Sequence, residues 1–178
     1  KRLNNIYADL LNNSGCKIIN GKASIINAHT VSVNNKNYTA KKILIATGGR
    51  PFVPKFPGSM YAITSNEVFH LKELPKKVLV VGGGYIAVEF AGIFNGLGSE
   101  VMLSYRGPVF LRKFDMDIRE KAAIEIAKNG VNLNFDSNVQ SIKNLDNNQL
   151  ETTFTDGSTF VSDIVLYATG RKSNLQGL

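Results

Sequence analysis

The chain has no tryptophan, one cysteine and two histidines among its 178 residues. With Cys16 alone, no disulfide closes within the chain and a paired-thiol redox motif is excluded. Cys16 opens the apolar run CKII, which predicts a small buried hydrophobe rather than a reactive thiol. His29 and His70 have no ligand-type neighbours at useful spacing, so neither is expected to hold a metal or to act in catalysis. Proline is sparse, and Pro51, Pro54 and Pro57 fall in one stretch with Gly58, marking a connection that regular structure cannot span. No apolar run approaches the roughly 18 residues of a membrane helix. The opening KRLNNIYADLLNNSG is amphipathic and polar-flanked, unlike a secretory signal. It also lacks an initiator methionine, so the natural N-terminus is expected elsewhere. The expectation is a protein that works off the membrane, in the cytoplasm.

Apolar residues make up 43% of the chain and charged residues 20%, enough to bury a core. The net charge of +7 raises the possibility of nucleic acid. The basic residues are spread along the chain, however, without aromatic interleaving, and the expectation is a solvated surface with a local anion site and no nucleic-acid partner.

Residues 3–11 place Leu3, Ile6, Tyr7, Leu10 and Leu11 on one helical face, with Gly15 as the stop. Strand-like runs follow at 17–19, 23–27 and 30–33, then a turn at 34–37 and a strand over 38–47. After the proline-rich connection, residues 78–81 form a short continuous apolar strand that runs into a glycine turn. The stretch YIAVEFAGIFNGLG reads as a helix and 100–105 as a second strand. Asp115 is a good N-cap for a helix to about Asn129, with Gly130 as its stop. Runs at 131–135, 139–143 and 150–154 read as a β-meander, and 163–169 as a last buried strand. Two phrases, ILIATGGRP and VLYATGRKSN, each carry an apolar strand into A-T-G, as two crossings between neighbouring domains would.

Gly82-Gly83-Gly84-Tyr85-Ile86-Ala87 fits G-x-G-x-x-A between a predicted strand and a predicted helix, the context this dinucleotide fingerprint requires. Gly82 permits the tight turn, Gly84 lets the backbone approach a pyrophosphate, and Ala87 keeps the helix close to the strand. The phosphates then sit at a helix N-terminus, where free N–H groups and the helix dipole attract anions. An NAD site usually ends its second strand in Asp or Glu, which binds the ribose 2′-hydroxyl. Here that end is Ser104-Tyr105-Arg106, with Arg112 and Lys113 close behind. Arg106 and Arg112 are the expected clamp for a 2′-phosphate, which points to NADPH.

These residues resemble a family. GGGYIAVEFAGIFNGLGSEV and YRGPVFLRKFD, with ITSNEVFHLKELPKKVLVVGGG upstream and ATGR downstream, are similar to the NADPH domain of glutathione-reductase-type flavoproteins, the class I pyridine nucleotide-disulfide oxidoreductases. The likeness covers nearly the whole chain and is most specific over residues 65–115. It implies a Rossmann-like three-layer α/β FAD/NAD(P)-binding fold with a parallel sheet and a β-meander. Residues 1–49 would belong to an FAD-binding domain, 50–172 to the NADPH domain, and 173–178 would return to the FAD domain. It implies that Tyr85 covers the nicotinamide pocket and swings away, and that Glu89 pairs with a lysine beside the flavin. Ile86 belongs to the same motif. A carboxylate in so apolar a helix is expected to be buried and to need that partner. Gly170 and Arg171 would lie near the NADPH pyrophosphate, and Ala46, Thr47 and Gly48 would touch FAD. The implied activity is hydride transfer from NADPH to flavin, then to an enzyme disulfide and on to glutathione disulfide, in a homodimer.

Two departures stand out. The pattern G-R-x-P-N reads Gly170-Arg171-Lys172-Ser173-Asn174 here, and loss of the proline is expected to loosen that turn. The FAD-binding G-x-G-x-x-G, the C-x4-C pair and the C-terminal His-Glu pair are not in this chain, so alone it is expected to bind NADPH weakly and not to reduce disulfides. Trypanothione and mercuric reductases remain open. A lipoamide dehydrogenase is disfavoured by the missing strand-end acid, and a stand-alone NADP-binding module by the two ATG elements.

Overall fold

The computed structural model describes residues 2–178. The chain divides into two units: the residues up to Gly48 together with Ser173–Leu178, and Gly49–Lys172.

In the first unit, helix α1 (Arg2–Asn13) ends in a paired-bond cap. Gly15, at φ 76°, donates its N–H to Asn12, and Cys16 donates to Leu11, both at 3.0 Å. An antiparallel sheet follows in the order β1 (Ala23–Asn27), β2 (Thr30–Val33), β3 (Lys36–Thr39). Asn34 and Asn35, at φ 51° and 61°, make the two-residue turn that pairs Val33 with Lys36. Paired positive φ values match the strand twist, so the third strand starts at Lys36, inside the expected turn.

Three expectations fail in this unit. Residues 17–19 form no strand, Cys16 is exposed rather than buried, and the ladder expected over 38–47 stops at Thr39. The reason is common to all three. An apolar run becomes a buried strand only when another strand takes up its N–H and C=O groups, and among the described residues no strand pairs with 17–19 or 40–47. Leu44 is 90% exposed, and Val33 is the unit's one buried residue among those described.

The second unit is built on a parallel sheet of order β11 (Ile164–Tyr167), β5 (Lys77–Val81), β6 (Glu100–Ser104), β7 (Asn132–Asn134). Successive side chains of β5 alternate between the sheet's faces. After the short helix α2 (Ser65–Val68), Val78 and Val80 join Ala87, Phe90, Ala91 and Phe94 of α3 (Tyr85–Gly96) and Ala123 of α4 (Met116–Lys128). Leu79 and Val81 join Ile142, Phe154 and Phe160 of a three-stranded antiparallel sheet, β8 (Val139–Asn144), β9 (Leu150–Phe154) and β10 (Thr159–Ser162). Helices, parallel sheet and meander thus form three layers. Cover on both faces is why β5 reads as an unbroken apolar run rather than an alternating one.

The meander differs from expectation. The run at 131–135 supplies β7, the edge of the parallel sheet, and the third meander strand is β10 instead. Periodicity identifies a half-buried strand without identifying its neighbour. α4 begins as expected, with the Asp115 carboxylate accepting from the Asp117 N–H at 3.1 Å, and its stop, Gly130, takes φ 102°. Asp163 ties the start of β5 to the start of β11. Its carboxylate accepts from the N–H groups of Lys76 and Lys77 at 2.8 and 2.9 Å and from the Gln149 amide at 3.3 Å. Where the expected proline is replaced, the chain continues as a short strand, β12 (Arg171–Ser173), beside β4 (Gly49–Pro51), rather than as a loosened turn.

Candidate functional site

The three glycines between β5 and α3 have three different reasons to be glycine. Gly82 sits at φ 151°, and a Cβ there would overlap the carbonyl of Ala168 at the end of β11. Its N–H donates to the Ser104 carbonyl at 2.9 Å, while Ala168 donates to Val81 at 2.8 Å. The turn is therefore fixed at the carboxyl ends of three adjacent strands, where open α/β sheets bind their ligands. At Gly83 a Cβ would overlap the Tyr105 ring. Gly84, the N-cap of α3, is open: no side chain caps the helix there, and a Cβ would meet nothing within 4 Å. The first N–H groups of α3 thus lack intrahelical and side-chain partners, which makes an anion seat. Ala87 is fully buried beneath the turn, where its small side chain lets helix and strand approach.

The turn opens into a cleft of about 680 Å³, and Gly82, Gly84, Tyr85 and Ile86 line it. Gly170 and Arg171 line it too, and Arg171 also donates to the Gly49 carbonyl. The loop after β6 brings in Arg106 and Arg112, although Pro108 lies between them. The loop folds back because the Phe110 side chain is fully buried edge-on to Phe135, with ring centres 5.7 Å apart. Leu111 then takes φ 58° and donates its N–H to the Gly83 carbonyl at 2.7 Å.

The walls carry four cationic side chains, Arg106, Arg112, Lys113 and Arg171, and no carboxylate among the described residues. The strand end where an NAD site would present its acid has Ser104, Tyr105 and Arg106, with no carboxylate, and the buried Ser104 hydroxyl accepts from the Asn134 amide at 3.5 Å. With cations and no carboxylate on its walls, the cleft favours an anion.

Two of the residues expected in the second unit lie off the cleft walls. Ala87 supports the turn from below. Glu89 is exposed on α3, which corrects its expected burial. The helix's buried stripe is Ala87, Phe90, Ala91 and Phe94, and Glu89 lies outside it, one turn along from the exposed Tyr85. It makes no ion pair among the described residues. Ala46, Thr47 and Gly48 belong to the first unit, where they are exposed and irregular. No group of three or more potential metal ligands occurs among the described residues.

Several wall residues carry little or no local signal in the sequence. Ser137 and Asn138 come from the turn before β8, far from the glycine turn in sequence, and no local pattern announces them. Tyr167 reads as an ordinary strand residue, yet it lines the cleft and stacks on Phe56 at 5.4 Å. Burial pushes its phenol well above the ordinary value. Gly83 and Tyr105 had a visible signal, a third glycine in the turn and an aromatic at the strand end, but their complementarity is spatial.

The family model described as pyridine nucleotide-disulphide oxidoreductase matches residues 1–178. The chain is 40% identical over 179 residues to a glutathione reductase of a Nostoc species, covering all of this chain and 39% of that protein. It is 42% identical over 178 residues to the chloroplastic/mitochondrial glutathione reductase of Pisum sativum, covering 32% of it. Among solved structures, the HOCl-induced flavoprotein disulfide reductase RclA of Escherichia coli superposes with a TM-score of 0.84 at 31% identity, over 98% of this chain and 41% of that one. The chain thus spans about two fifths or less of the length of these relatives.

Proposed function

The chain belongs to the pyridine nucleotide-disulphide oxidoreductase family, and from that premise we propose that Gly49–Lys172 is the NADPH-binding part of an FAD-dependent disulfide reductase of the glutathione reductase type. One observation carries the choice of nucleotide: a cleft at the fingerprint turn with four cations and no carboxylate on its walls. The donor set suits NADPH. Open space over Gly84 and the uncapped start of α3 suit the pyrophosphate, with Gly82 shaping the turn, Ile86 on the wall and Ala87 holding the helix close. Arg106 and Arg112 suit the 2′-phosphate, and Gly170 and Arg171 complete the wall beside the pyrophosphate. Tyr85, at the helix start and 61% exposed, has the freedom to cover or uncover a nicotinamide. Glu89, exposed and unpaired among the described residues, is available to a lysine from elsewhere in the full-length protein. The first unit presents Ala46, Thr47 and Gly48 toward FAD as part of the flavin domain.

When bound, the nicotinamide and flavin supply the hydride chemistry. This chain's residues bind, orient and select the nucleotide. With Cys16 as its one cysteine, the chain has no redox pair of its own. Reduction of glutathione disulfide, in a homodimeric cytoplasmic enzyme, is therefore proposed for the full-length protein, and the similarity to glutathione reductases supports it.

Calorimetric titration with NADPH and NADH tests the reading, since the absence of tryptophan removes the usual fluorescence probe. Each charge-assisted contact is worth about 1.5–3 kcal/mol, so two arginines are expected to favour NADPH by roughly 100-fold or more. Arg106→Ala should lose much of that preference. Equal affinity of the wild type for the two nucleotides would refute the clamp.

A further inference from the structure

Arg106 and Arg112 lie on a loop outside the strands and helices, anchored by the buried Phe110 and by the Asp136 N–H, which donates to the Gly107 carbonyl at 3.2 Å, and one side chain of α4 grips it from behind. Arg119 donates from Nε to the Phe110 carbonyl at 2.8 Å and from Nη2 to the Val109 carbonyl at 2.6 Å. Its remaining arm reaches Met116 Sδ at 3.3 Å. No carboxylate pairs with it among the described residues, and it lies off the cleft walls. Two consecutive carbonyls held by one planar guanidinium is a geometry only arginine provides. The next residue, Leu111, holds φ 58° while its N–H bonds to Gly83 in the glycine turn. A non-glycine residue keeps such a backbone only where its surroundings impose it. The bonds from Arg119 fall between the two clamp arginines and just before that residue.

We propose that Arg119 is a positioning residue for nucleotide selection. It does not touch the nucleotide, and it holds the loop in the form in which Arg106 and Arg112 converge on one 2′-phosphate. The proposal rests on the phosphate-clamp reading above. A released loop must be reordered each time the arginines close on a phosphate, and that entropic cost falls on a ligand bearing the 2′-phosphate and not on one lacking it.

Calorimetric titration of the protein with adenosine 2′,5′-bisphosphate and with 5′-AMP separates the two effects. Arg119→Met is expected to weaken the bisphosphate about tenfold or more, the weight of one charge-assisted hydrogen bond. It should leave 5′-AMP within about twofold, as for a substitution away from the ligand. Arg119→Lys keeps the charge but cannot bridge both carbonyls, and it should lose most of the same discrimination. Equal weakening of both ligands, or an unchanged ratio, overturns the proposal. If the methionine variant does not fold, the ratio in the lysine variant decides. A wild type that does not discriminate refutes the clamp itself, and the positioning role with it, before any variant is compared.

Discussion

Gly82 and Gly84 stand two residues apart in one motif, yet the structure assigns them opposite sensitivities. At Gly82 an alanine meets two obstacles. The backbone is at φ 151°, and the new Cβ overlaps the carbonyl of Ala168, a residue locked in place by the bond from its own N–H to the Val81 carbonyl. A strained backbone costs about 1–3 kcal/mol and overpacking against a fixed neighbour about 1–3 kcal/mol more. The sum, about 2–6 kcal/mol, corresponds to a fall in melting temperature of roughly 5–20 °C for a chain of this size. At Gly84 the backbone has φ −95°, which alanine adopts freely, and its Cβ meets nothing within 4 Å. Gly84→Ala should therefore leave the melting temperature unchanged, or raise it slightly by restricting the unfolded chain. Its methyl instead fills the space through which a pyrophosphate would approach, and nucleotide affinity should drop about tenfold or more. Thermal melts by circular dichroism, paired with calorimetric titration of NADPH, measure both arms. A Gly82→Ala protein that melts with the wild type would refute the steric account of the turn. A Gly84→Ala protein that binds NADPH normally would remove the pyrophosphate from that space.

The remaining predictions concern pH. Burial works to raise the Asp163 carboxyl, but the N–H of Lys77, the Gln149 amide and the N–H of Lys76 outweigh it and hold it below its ordinary value of 3.8. A depressed carboxyl stabilises the fold above its unfolded value, and that stability is lost as pH falls through the folded one. Urea melts between neutral pH and about pH 3 should show this acid loss in the wild type and a smaller one in Asp163→Asn. Equal slopes would dismiss the tie between β5 and β11. Tyr167 runs the other way. Its raised phenol contributes stability below the ordinary value of 10.0 that is lost as pH rises further. Tyr167→Phe keeps the stacking on Phe56 and should show less alkaline loss, with one late-titrating phenol missing from the ultraviolet titration.

Much of the second unit was legible because its signals are local. An unbroken apolar strand, a glycine turn and a helix with small residues on one face each arise within a few residues. Together they specify a strand buried on both sides and a turn that cannot carry a Cβ at Gly82. The missing acid and the arginines after β6 were equally visible. Pairing was not legible, because it is decided by residues distant in sequence. The runs at 17–19 and 38–47 have the composition of buried strands, yet among the described residues the first has no ladder and the second loses its ladder after Thr39, and Cys16 and Leu44 are exposed accordingly. The run at 131–135 was a strand as expected, but whether it joined the meander or the parallel sheet depended on which edge was free.

By itself, the sequence determined the βαβ start of the nucleotide fold, the fingerprint turn and the chemistry available to its ligand. Tertiary structure alone decided which cations share a cleft, that Glu89 faces solvent, that Tyr105 covers Gly83, and that Arg119 holds the loop from behind. The reason is physical: backbone preferences and side-chain chemistry act over a few residues, whereas a loop's return, a ladder's partner and the charge of a cavity are properties of groups that only folding brings together.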